Sequence, residues 1–116
     1  MRRQLIATLI ILSIAGQAQA QAQNYQGNWA CRTTEARAGL LTLFGQSFGY
    51  ASLTKNDPAS GTGTISVFSD GVSFDASPLR EALGIIHGRL VPHDQTGVAM
   101  QLETDNKVLL LCTPLR

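Results

Sequence analysis

Two cysteines and two histidines are the most chemically versatile side chains of this 116-residue sequence. Cys31 sits in YQGNWACR near the start of the folded part, and Cys112 in VLLLCTPLR at the end. Paired thiols staple a domain, buried free thiols fill it, and thiolates bind metals. Metal binding calls for close Cys spacing or a neighbouring His, and neither cysteine has them. A Cys31–Cys112 bond would close a loop of roughly eighty residues and contribute at most about 4–5 kcal/mol in the chain-entropy model. The expectation is that disulfide, with two free buried thiols as the alternative.

His87 lies in an apolar stretch, and His93 adjoins Asp94 in a turn. Together they match no recognised metal-ligand spacing, so surface histidines are expected and no metal is assigned. No serine occupies a Gly-x-Ser-x-Gly elbow. Asp70 and Asp75 form no convincing acid–base pair, because Asp70 is accounted for by Asp-Gly turn chemistry. Gly61-Thr62-Gly63 has no helix after it to cradle a phosphate. The residues therefore point to a non-enzymatic protein without a cofactor.

The aromatic residues offer a binding reading. Trp29, Phe44, Phe48, Tyr50, Phe68 and Phe74 come from several segments. Trp29, Tyr50 and Phe74 are the candidate lining of an interior site for a small apolar ligand. The competing reading is that a domain this small needs those rings as its core.

The elements that would hold these residues begin after a leader. Arg2 and Arg3 precede the apolar run Leu5 to Ala15, and Ala18-Gln19-Ala20 fits the small-x-small cleavage rule. Residues 1–20 thus read as a signal peptide, with an alternative cut after Ala22 and an uncleaved anchor as the competing account. The run is short of the ~20 residues that a membrane span needs. Cleavage removes Arg2 and Arg3, leaving seven basic residues against eight acidic ones, a net charge of −1. That balance, with scattered charges, gives no footprint for nucleic acid or acidic lipid. The expected compartment is periplasmic or extracellular, where disulfides persist.

Residues 21–26 read as a disordered linker, and residues 27–116 as one domain. From Gly27 the dominant period is two, the strand signal. Candidate strands are GNWACRT, GLLTLF, SFGYASLT, TGTISVFS, VSFD, GIIHGRLV, VAMQLET and KVLLLCT. GLLTLF has a short helix with TEARA as its alternative. KNDPASG is a loop, Asp70-Gly71 a hairpin turn, and Ser77-Pro78 a single capped helical turn. Met100 and Leu102 are expected inside with Val98, and Ala99, Gln101 and Glu103 outside. KVLLLCT is apolar on both faces, so the Leu79–Leu83 turn is the candidate cover for its outer face. Seven to eight short strands without long helices predict an all-β antiparallel up-and-down barrel or barrel-like sandwich. In such a barrel the first and last strands are neighbours. A Cys31–Cys112 bond would then pin the seam, with Trp29 plugging one end and Gly27 letting the chain pass beneath its ring.

Gly27-Asn28-Trp29 resembles the Gly-x-Trp signature of lipocalin and avidin-like barrels. That resemblance implies an up-and-down barrel and an Arg packed over the Trp, for which Arg116 is the nearest candidate. The chain is shorter than a typical lipocalin and lacks the signature between later strands. A broader resemblance rests on the leader, Trp29-Ala30-Cys31, the Asp-Gly hairpin, Phe74 to Leu79 and the apolar final strand ending in Cys. It is similar to small exported one-disulfide β-meander proteins of Gram-negative bacteria, uncharacterised in function. This implies export and fold, and brings no activity. The functional expectation is an exported non-catalytic binding or interaction module. It holds an apolar ligand inside, or acts through its surface as an envelope protein or inhibitor.

Overall fold

The computed structural model describes residues 26–115. Residues 1–25, which include the expected leader, and Arg116 lie outside them. Eight strands follow in order: β1 Gly27–Arg32, β2 Arg37–Phe44, β3 Ser47–Ser52, β4 Gly61–Phe68, β5 Gly71–Phe74, β6 His87–His93, β7 Gly97–Glu103 and β8 Val108–Pro114. One short helix, α1 (Pro78–Leu83), lies between β5 and β6. Each strand pairs with its neighbours in sequence, and β8 pairs antiparallel with β1, closing the barrel. Closure leaves no unpaired edge for another chain to extend.

The alternating residues produce this shape directly. Trp29 and Cys31 on β1, Leu41 and Leu43 on β2, Phe48 and Tyr50 on β3, and Met100 and Leu102 on β7 point inward and are buried. Intervening positions such as Asn28, Arg32, Thr64 and Ser66 remain exposed. The inward set forms one hydrophobic cluster, joined by Ala59, Leu79 and Ile85 from the connections. Leu79 and Ile85 bring α1 and its exit over one end of the barrel.

That cap forms as its chemistry demands. Ser77 has an extended backbone, and its hydroxyl accepts from the Arg80 N–H at 3.3 Å. Pro78 occupies the first turn, where no N–H is needed. Gly84 ends the helix in the left-handed conformation, its N–H donating to the Arg80 carbonyl.

Several local expectations change. GLLTLF is a strand that already starts at Arg37, and Thr34 to Ala36 belong to the preceding turn. GIIHGRLV is split: Gly84 caps α1, and the strand runs from His87 to His93, so His93 ends a strand. Ala99 is fully buried although its neighbours Met100 and Val98 set it on the other face. The helix packs chiefly over β4, where Pro78 lies against Gly61. Gly27 has open space at its Cβ position and a φ of 112°, so backbone conformation, and not room beneath Trp29, calls for glycine. Gln26, assigned to the linker, is tied down by accepting from the Gly45 N–H at 2.5 Å.

Candidate functional site

Trp29, Tyr50 and Phe74 are all interior, at 1%, 5% and 0% exposure. Trp29 and Tyr50 share one transverse row, because Leu41 stands opposite both. Pro114 and Gly61 extend this row on either side. Phe74 stands opposite Ile65 and meets the Phe48 ring edge-on, with centroids 4.9 Å apart and planes at 76°. Such an edge-to-face pair is a favoured packing of aromatic quadrupoles.

Glycines make room for the large interior side chains. A Cβ at Gly39 would lie 2.7 Å from the Tyr50 hydroxyl, one at Gly63 2.7 Å from the Phe48 ring, and one at Gly88 2.7 Å from the Met100 sulfur. Small positions facing large ones are how a narrow barrel fills its taper. These glycines serve as floor beneath the rings and the thioether. Arg116, the residue the lipocalin-type resemblance would set over Trp29, lies outside the described residues.

Burial raises the Tyr50 phenol pKa above 10.0, and the nearby Asp57 carboxylate adds to the rise. Asp57 itself is held below the usual carboxylate range, first by the Ala59 N–H, which donates to it at 2.9 Å, and then by the Ser52 hydroxyl. These are loop-anchoring contacts: they seat the 53–60 connection against the barrel end where Ala59 is buried.

The histidines are kept apart. His87 opens β6 and His93 ends it, so about 20 Å of strand separates them. His93 is engaged locally, its Nδ1 3.0 Å from the Thr96 hydroxyl. Among the described residues no three His, Cys, Asp or Glu side chains gather as a metal site.

Two outer grooves were not anticipated. The first, about 220 Å³, collects Phe68, Asp70, His87, Arg89 and Glu103 beside the β5–β6 pairing. Within it Arg89 and Glu103 form a 3.3 Å ion pair, and His87 stands opposite Glu103 across β6–β7. Only register brings these charges together. The second groove, about 430 Å³, runs along the seam over Ala30, Leu40 and Thr113, flanked by Leu53, Leu115, Arg32 and Arg37. Leu53 and Leu115 are 67% and 54% exposed. The available signal was Leu40 and Leu53, apolar residues at outward positions. Neither groove is lined by Trp29, Tyr50 or Phe74.

Among the described residues no helix is long and apolar enough to cross a membrane. No protein-family model, curated protein or solved structure matches the chain.

Proposed function

We propose that this is an exported, non-catalytic binding module that works through the outer surface of a solid barrel. One observation carries the reading: the three candidate ligand-binding aromatics are core residues in a single buried cluster. Each is under one-tenth exposed, so an interior ligand would have to displace packed side chains. The surface is left as the working part, whether the protein acts as an envelope component or as an inhibitor of a secreted enzyme. Export to the periplasm or beyond is supported by the leader-like N-terminus and by the disulfide between Cys31 and Cys112.

Native mass spectrometry of the protein purified from its export compartment tests this. The surface reading expects the apo mass under conditions that keep the fold. A small molecule that is released only on unfolding would overturn it in favour of an interior carrier.

A further inference from the structure

Arg32 and Arg37 stand directly opposite one another across β1 and β2. Regular antiparallel pairing from Cys31–Gly39 would set Arg32 against Ala38. A register shift between Cys31 and Arg32 brings in Arg37 instead. Bulges re-aim side chains in this way. Like charges directly opposite are destabilising, and neither guanidinium has an acidic partner among the described residues. Arg32 spends its Nε–H on the Thr33 carbonyl at 3.2 Å, leaving the guanidinium terminus. Glu35, in the loop between the two arginines, is exposed and pairs with neither. A local rule broken without an internal remedy is expected where function requires it.

Both arginines line the seam groove, whose other walls are mostly apolar, with Ala30, Leu40, Leu53 and Leu115 beside the polar Thr113. A free inorganic anion would use the guanidiniums and leave that strip wet. A second copy of the chain would bring its own pair of arginines to the contact. We propose that the seam groove binds a small apolar carboxylic acid of the fatty-acid type. Its carboxylate lies between Arg32 and Arg37 and its tail runs along Leu40 toward Leu53 and Leu115. The fork of a guanidinium matches a carboxylate with two parallel N–H donors. The groove's about 430 Å³ falls within the roughly 300–1,000 Å³ range of small-molecule sites. This inference rests on the surface-acting reading and names the ligand class for it.

The test titrates the ¹⁵N-labelled mature protein with decanoate below its aggregation concentration. Decyltrimethylammonium, with the same tail and opposite charge, is run in parallel. Saturable amide shifts are expected around Ala30 to Arg32, Arg37 to Leu40, Leu53 and Thr113. Arg32→Gln/Arg37→Gln should weaken decanoate about tenfold or more. Its thermal midpoint without ligand should equal or exceed that of the unaltered protein, because a repulsion is removed. No saturable shift, equal response to the cation, or unchanged affinity in the double variant would each overturn the proposal. So would binding confined to an acetylated Leu-Leu-Asp-Leu peptide, which would assign the groove to a protein segment. Saturable shifts centred on Trp29 and Phe74 would instead sink the surface reading itself, whereas silence everywhere would leave that reading standing.

Discussion

Cys31 and Cys112 face each other across the barrel seam as a directly opposed pair, disulfide-bonded, with Cα atoms 3.9 Å apart. Their position in the ladder explains why. The Leu115 N–H donates to the Asn28 carbonyl, which makes Asn28–Leu115 a hydrogen-bonding pair. By alternation, Trp29–Pro114 and Cys31–Cys112 are non-hydrogen-bonded pairs, the class in which facing side chains come closest. Pro114, with no N–H, fits the same class. The bond ties the first strand to the last, and so holds the barrel closed at its longest sequence separation.

Removing that bond should therefore loosen the whole domain. Cys31→Ala/Cys112→Ala is expected to lose up to about 4 kcal/mol in a urea titration. The purified protein should weigh two hydrogens less than the dithiol by mass spectrometry. Thiols that alkylate without prior reduction, or an unshifted midpoint, would contradict the staple.

Gly71 is the position least able to accept a side chain. Its φ is 152°, and an added Cβ would run into the Gly88 carbonyl oxygen across β5–β6. Gly71→Ala should destabilise by at least ~3 kcal/mol, combining backbone strain with overpacking. Gly45→Ala offers the control. Its φ is 64° with open space around it, so only the left-handed penalty of about 1 kcal/mol applies. Equal losses in denaturant titrations of the two variants would count against the close β5–β6 approach.

The Tyr50 phenol gives the fold an alkaline limit. Its folded pKa is raised above 10.0, chiefly by burial. The unfolded chain therefore gives up that proton first as pH rises. The stability tied to the neutral phenol is fully present below pH 10.0 and is lost as pH climbs through the raised folded value. Tyr50→Phe should flatten the decline in thermal midpoint above pH 10.0, after any uniform offset. An identical alkaline slope in the variant would show that other groups set the limit.

Ser77 holds the cap of the barrel end. Ser77→Ala removes the acceptor for the Arg80 N–H and should cost about 1 kcal/mol. Amide exchange should quicken first in α1 and at the buried contacts of Leu79. Ser77→Asp, which keeps a capping oxygen but enlarges a buried site beside Gly63, should recover little. Full recovery would mean that capping alone matters there.

Much of the architecture is legible in the residues. Period-two alternation in VAMQLET and SFGYASLT announces strands with one apolar face, because successive side chains on a strand point to opposite sides. Asp70-Gly71 announces a hairpin, and Ser77-Pro78 a helix start. Two cysteines placed at the two ends of a meander announce a seam bond, since closure must make the end strands neighbours.

Other features depend on which residues meet across strands, and no local signal encodes that. Gly39, Gly63 and Gly88 carry no local mark of their use, yet each is the space beneath a large side chain from the neighbouring strand. The candidate ligand aromatics could have lined a cavity or filled a core. Trp29, Tyr50 and Phe74 all lie in the buried cluster, which only packing between strands could bring about. The opposition of Arg32 and Arg37 is set by a single bulge, and a shift of one residue would have paired Arg32 with Ala38. The sequence by itself determined strands, turns and the cysteine seam, because those follow from local periodicity and chain ends. Only the tertiary structure decided what fills the barrel and which charges face each other, because those follow from register between strands.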